Sequence, residues 1–335
     1  MLLLMIAAAQ AIGGSSRRRH GLMKLFVFGD SYADTGNWPK GSATSWKEPY
    51  GITFPGEPSG RFSDGRVLTD YIASFAGIRP PLPYKLWKSG TKSPRHGMNF
   101  AHGGTGVFNT LVDGPNMTTQ INFFQQLVEE KVYTKSDLNS SVALVSLGGN
   151  DYATYMALKG TSQGFPAFTK SVINQLATNL NSIHSLGVRK IGITAMEPLG
   201  CLPRFAALSS FQNCSKAENS LAKFHNQMLE QSLQKLSNKS NESLFLILDL
   251  YNAFMSVLKI QENHPGNTRF ENPLKPCCVG ATEGDFCGSV DKNGRKKYSV
   301  CENPKLSFFW DVIHPSQQGW HAVYSAFRSS LQQLV

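Results

Sequence analysis

Leu25-Phe26-Val27-Phe28-Gly29-Asp30-Ser31 is an uninterrupted apolar run that turns at once into small and polar residues. An apolar run of that length, bounded by a turn signal, reads as a strand covered on both faces, the usual condition of strands in a parallel sheet. Ser31 then stands at the carboxyl end of that strand. In open parallel α/β sheets ligands sit in the crevice outside those ends, and a helix expected just after the serine would aim its backbone N–H groups into it. Ser31 is therefore placed to react.

The same pattern recurs along the chain. Asn99-Phe100-Ala101-His102-Gly103-Gly104-Thr105-Gly106 is a strand end running into glycines, and the apolar run over 142–147 ends in Gly148-Gly149-Asn150-Asp151. Strands are expected over 25–28, 98–101, 142–147, 190–195 and 244–250, with helical periodicity over 67–76, 118–130, 168–186, 216–236 and 316–334. Such alternation predicts a parallel sheet with helices on both faces. No linker, repeat or low-complexity tract divides the 335 residues, so a single domain is expected over 24–335.

A serine hydroxyl is a weak nucleophile until a base takes its proton, and that base must be held in one tautomer by a third group. Trp310-Asp311-Val312-Ile313-His314-Pro315 supplies both. A separation of three lets the Asp311 carboxylate accept from one imidazole nitrogen of His314 while the other faces a serine. Pro315 keeps His314 out of the α region and so favours a fixed turn. Acyl chemistry also needs donors where an oxyanion forms. Backbone N–H groups at Ser31 and Gly104 and the side-chain amide of Asn150 are the candidates.

These residues resemble the SGNH or GDSL esterases and lipases, most closely their large plant branch. The pieces are Phe26-Val27-Phe28-Gly29-Asp30-Ser31 with Asp34-Thr35-Gly36-Asn37, Asn99-Phe100-Ala101 with Gly103-Gly104, Gly148-Gly149-Asn150-Asp151, and Phe309-Trp310-Asp311 with His314-Pro315. The resemblance runs from about residue 24 to the end. It implies a three-layer α/β/α sandwich with a flavodoxin-like parallel sheet. It also implies Ser31 as nucleophile, His314 as base, Asp311 as its orienter, and Ser31, Gly104 and Asn150 as oxyanion donors. Tyr32 stands where the family more often has leucine or serine, and His102 where serine is common. Both departures bear on the acyl pocket, for which 203–210 and 41–61 are the expected walls.

The activity so implied is hydrolysis of small, lipid-like or acylated-carbohydrate esters through an acyl-enzyme, without cofactor or metal. Acyltransferases and carbohydrate O-deacetylases of the family share every catalytic residue and are the alternatives. A flavodoxin-like phosphate binder would use the same first strand end but gives no work to Asp311, His314 or Asn150. A sugar-binding relative without activity would have no need of the triad. Asp30, Asp34 and Asp151 could face a hard cation, but no His or Cys spacing supports a metal. Asp30 is expected instead to brace the turn around Ser31. His20, His96, His184, His225, His264 and His321 read as ordinary surface or packing residues.

Composition is compatible with this reading. Apolar residues make up 41% and the formal net charge is +10, spread along the chain apart from Arg17–Arg19 and Arg295-Lys296-Lys297. No nucleic-acid recognition motif accompanies that charge, so no nucleic-acid partner is expected. Six cysteines, an even number, lie in the second half and suggest disulfides. Cys201 with Cys214 is the expected local bridge, whereas Cys277, Cys278, Cys287 and Cys301 leave the pairing open. Asn116, Asn139, Asn213, Asn238 and Asn241 begin glycosylation sequons, and 1–20 contains a short apolar leader with an Ala9-Gln10-Ala11 cleavage-like triplet. A secreted monomer without a membrane span is expected.

Overall fold

β1 (Leu25–Gly29) is fully buried inside a six-stranded sheet in the computed structural model, which describes residues 23–90, 93–238, 244–263 and 270–335. The leader expected over 1–20, His20, His264 and the Asn241 sequon lie outside the described residues. The other strands are β2 (Leu82–Pro83), β3 (Gly97–Asn99), β4 (Val142–Ser146), β5 (Lys190–Thr194) and β6 (Leu244–Leu248). All neighbours run parallel in the order β2-β3-β1-β4-β5-β6. Without the two-residue edge strand β2 this is the doubly wound order 2-1-3-4-5. The chain reverses its direction of progress between β1 and β4, and that switch point opens a crevice at their carboxyl ends.

The helices are α1 (Leu68–Phe75), α2 (Tyr84–Lys88), α3 (Met117–Glu129), α4 (Lys135–Asn139), α5 (Gly149–Ala157), α6 (Phe165–Ser185), α7 (Pro203–Ala206), α8 (Lys216–Ser237), α9 (Leu250–Asn263), α10 (Gln317–Ala326) and α11 (Arg328–Leu334). Alternate side chains of β1 go to opposite faces, as strand geometry requires. Phe26 and Phe28 pack with Phe124 of α3, Leu176 of α6 and Leu229 of α8. Leu25 and Val27 pack on the other face with Leu68 of α1, Phe254 of α9, Trp320 of α10 and Leu331 of α11. α3 shows why such helices form: Asn116 accepts from Thr119 N at its start, and Met117, Ile121, Phe124 and Leu127 make one buried stripe.

The expected sandwich is present, with differences at the element ends. No helix follows Ser31; Asp30 O accepts from Ala33 N and Asp34 N, and the chain leaves that single turn for a long loop. The last helix is two, broken at Phe327, whose buried ring packs into the core. The apolar run over 244–250 ends as a strand at Leu248, because Asp249 caps a new helix, accepting from Asn252 N at 2.9 Å. Short or polar elements such as α2, α4, α5 and α7 carry too weak a period to be read from the sequence.

A two-stranded antiparallel hairpin, β7 (Cys278–Gly280) with β8 (Tyr298–Val300), lies outside the sheet. Cys201 bonds Cys214 as expected, and the open pairing is Cys277–Cys301 and Cys278–Cys287. The hairpin backs the segment before His314: Cys277 N donates to Phe309 O at 3.1 Å and Cys278 N to Trp310 O at 2.7 Å. Closing loops of this size restricts the unfolded chain by about 3 kcal/mol each. Replacing Cys277 and Cys301 together by serine is therefore expected to lower unfolding free energy by about 3 kcal/mol in urea titrations. A loss below about 1 kcal/mol would show that packing alone holds the hairpin.

Candidate active site

The carboxyl end of β1 carries Ser31 into the switch-point crevice, and the loop between Phe309 and Pro315 arrives there from the far end of the chain. That loop is closed on itself, with Trp310 N donating to His314 O at 2.7 Å. Asp311 Oδ1 accepts from Ile313 N at 2.9 Å and His314 N at 2.8 Å. The structure thereby brings three expected residues together. His314 Nε2 lies 2.8 Å from Ser31 Oγ, and His314 Nδ1 lies 2.8 Å from Asp311 Oδ2. All three are buried, and the imidazole is set between the rings of Phe62 and Tyr32, with centroids at 5.0 and 5.9 Å.

Tyr50 completes this arrangement, its hydroxyl donating to Asp311 Oδ2 at 2.7 Å. Nothing in the local sequence around Tyr50 signals that contact, which spans 261 positions. Burial acts to raise the Asp311 pKa, but the His314 imidazole, the His314 N–H and the Tyr50 hydroxyl outweigh it and hold the carboxyl below its ordinary value. The stretch 41–61, expected as a pocket wall, contributes no residue to the cavity and instead supplies this brace.

Three loops converge on Ser31. Asp34 accepts from Gly36 N, Asn37 N and Trp38 N within its own loop and from Gly103 N at 2.9 Å in the loop after β3. Asn37 Nδ2 donates to Asn99 O and Ala101 O at 2.8 Å. Asp151, in the first turn of α5, accepts from Val107 N and Phe108 N at 2.9 Å each. Burial still raises Asp151 to about 6 and Asp34 above its ordinary value. The three carboxylates considered for a cation are thus occupied: Asp34 and Asp151 with backbone donors, and Asp30 with Tyr32 N at 3.0 Å. The described residues contain no cluster that could hold a metal ion.

Gly104 sits in the left-handed region at φ +76°, where a side chain would also strike Val112. Among the described residues, neither the Ser31 nor the Gly104 N–H has an acceptor within the protein. Asn150 is in the first turn of α5. Its Nδ2 donates to Thr105 O at 3.0 Å, which fixes the amide, and lies 3.4 Å from Asp30 Oδ2. The second contact is beyond the usual range for a strong bond and can yield to a better acceptor.

A cavity of about 420 Å³ opens beside Ser31, Asn150 and Tyr32. Its apolar wall includes Met156, Phe165, Leu202 and Leu221. Of the expected wall 203–210, Arg204 and Phe205 line it. Of the two departures from the family pattern, Tyr32 lines the cavity, whereas His102 lies against Trp38 at 5.5 Å and takes no part in it. His225, read as an ordinary packing residue, is paired with the Tyr152 hydroxyl at 2.7 Å behind the cavity wall, and burial lowers its pKa to about 4.

A family model described as GDSL-like lipase/acylhydrolase matches residues 25–327. Two GDSL esterase/lipases of Arabidopsis thaliana are similar to this chain. One is 53% identical over 98% of this chain and 93% of its own length, the other 52% over 93% and 89%. An acetylajmalan esterase 2 of Rauvolfia serpentina is 31% identical over 93% of this chain and 89% of its own.

Because Asp311 has a depressed pKa, the stability it contributes is present above its unfolded pKa and is lost as pH falls. Tyr50→Phe is expected to cost about 1.5–3 kcal/mol at pH 7, as for a hydrogen bond to a charged group. The cost at pH 3.5 should be smaller. Urea unfolding of both proteins at the two pH values measures it, and equal losses would mean that Tyr50 acts by packing.

Proposed function

The chain belongs to the GDSL-like lipase/acylhydrolase family of carboxylic ester hydrolases, and from that premise we propose a two-step acyl transfer through Ser31, His314 and Asp311. The observation that carries this reading is the continuous relay of two 2.8 Å contacts from Ser31 Oγ through the imidazole to Asp311 Oδ2. Asp311 fixes the tautomer with hydrogen on Nδ1, which leaves Nε2 free to take the serine proton. Ser31 Oγ then bonds to the ester carbonyl carbon. The oxyanion is received by the Ser31 and Gly104 N–H groups and by Asn150 Nδ2, which turns from Asp30.

His314 next returns its proton to the departing alkoxide, and the acyl group stays on Ser31. Water, deprotonated by the same nitrogen, attacks the acyl carbon, and Ser31 Oγ leaves with the proton as the carboxylic acid is released. The largely apolar cavity supports an acyl or alcohol part of small-molecule, lipid or acylated-carbohydrate type. Three disulfides support secretion into an oxidising compartment as part of the same reading.

Hydrolysis of p-nitrophenyl acetate, butyrate and octanoate tests the proposal. Ser31→Ala and His314→Ala are each expected to lower kcat by roughly three orders of magnitude or more. Asn150→Ala should lower it by roughly 10²–10³-fold with little change in KM, as for loss of one oxyanion donor. A fluorophosphonate should label the wild type at Ser31 and leave Ser31→Ala unlabelled. Wild-type turnover that survives Ser31→Ala would sink the reading. Added alcohol that diverts the acyl group from water would assign the acyltransferase alternative.

A further inference from the structure

The cavity beside Ser31 is not a plain hydrocarbon slot, because two carboxylates, Glu197 and Glu218, stand among its apolar side chains. Glu197 follows β5 and is only 9% exposed. Its hydrogen-bonding neighbours are its own backbone N–H and the Tyr32 hydroxyl, which also faces Ile313 O at 3.0 Å. A carboxylate offers about four lone-pair sites, so these neighbours leave acceptor capacity on a group that lines the cavity. Glu218, on α8, lines the same cavity, and its Oε2 is buried without a hydrogen-bond partner among the described residues.

Buried acceptors without donors are costly, and a ligand that brings the donor recovers that cost. At Glu218 Oε2 the described residues do not supply it. Arg204, the cationic residue on the cavity lining, is exposed, and its guanidinium lies over the Phe205 ring at 5.3 Å. Glu197 and Glu218 therefore give the cavity an acidic lining in a chain whose net charge is +10. An alkyl chain laid along this wall would leave Glu218 Oε2 without a donor and the spare acceptor capacity of Glu197 unused, and an acid-terminated chain would meet like charge.

We propose that Glu197 is a specificity-determining residue, selecting acyl groups that carry a hydrogen-bond donor, a hydroxyl or an ammonium, and disfavouring those that end in a carboxylate. The inference rests on the ester-hydrolase reading above and names the substrate class of that site. Burial raises Glu197 to about 6, so it is mostly an ionised acceptor at pH 7.5. Sites built around a buried hydrogen bond discriminate strongly against analogues that lack it.

The p-nitrophenyl esters of hexanoate, 6-hydroxyhexanoate and hydrogen adipate share a chain length and differ at the far end. At pH 7.5 the wild type is expected to show kcat/KM at least about 10-fold higher for the hydroxy ester than for hexanoate, and at least about 10-fold lower for the adipate. Glu197→Leu should reverse the hydroxyl preference. Glu197→Gln, which keeps the side-chain shape, should remove the penalty on adipate. Each comparison is a ratio within one protein, so a smaller folded fraction cancels. Equal ratios in the wild type and Glu197→Leu, or a wild type that prefers hexanoate, would overturn the proposal. In that event wild-type turnover of p-nitrophenyl acetate, absent in Ser31→Ala, keeps the hydrolase reading intact. No turnover of any ester and no fluorophosphonate label at Ser31 would remove that reading and the proposal with it.

Discussion

At the carboxyl edge of a sheet covered on both faces, the last backbone groups of the central strand have run out of strand neighbours and have no water to turn to. β1 meets this constraint at Gly29. Gln120 of α3 accepts from Gly29 N at 2.8 Å and donates to Gly29 O at 2.9 Å, and His102 N donates to the same oxygen at 2.9 Å. Asp30 N is taken by Ser146 O at 3.0 Å. A side chain at position 29 would collide with that Ser146 carbonyl, so glycine is required there for close approach. The position of Ser31 follows from these pairings, since each fixes the backbone within two residues of it.

The same need for donors and acceptors organises the loops around the serine. Asp34, Asn37, Asn99 and Asp151 spend their polar atoms on backbone groups of neighbouring segments, which converts three irregular loops into one connected support. Burial pushes Asp30, Asp34 and Asp151 up from the ordinary carboxylate range. Asp311 is the exception, held down by the His314 imidazole, the His314 N–H and the Tyr50 hydroxyl. The contrast separates one carboxylate suited to remain charged beside an imidazole from others whose work is to hold backbone.

The second half of the chain solves a different problem, that of holding a loop rigid outside the sheet. Asp311 and His314 sit on a segment that pairs with the cysteine hairpin on one side and leads into α10 on the other. Trp310 is buried with Tyr50 and the hairpin cysteines in a small separate core. Tyr50 thus belongs to the packing that supports the loop and to the hydrogen bonding that sets its carboxylate. A cavity of about 420 Å³ lies beside Ser31, walled in part by α5 and α8.

The residues at the strand ends were legible in the sequence because they lie beside strong local signals. An unbroken apolar run followed by glycine or polar residues marks a buried strand end and located Ser31 and Asn150, and a strand end running into glycines located Gly104. Asp311 and His314 were legible through their spacing and the proline that follows them. Elements of low periodicity, such as α5 and the β7–β8 hairpin, were not, since short segments owe their form to what they pack against. The same holds for single contacts. Gln120 and Tyr50 carry no local mark of their contacts, nor Glu197 of its place in the cavity wall, and the choice between two pairings of four cysteines is a matter of which sulfurs the fold brings near. By itself the sequence determined the layers of the fold and singled out Ser31, Asp311 and His314, which the fold brings together, because hydrophobic period and turn chemistry act over a few residues. Only the tertiary structure decided which side chains brace Asp311, which line the cavity and what charge they present, because those contacts join segments tens to hundreds of positions apart.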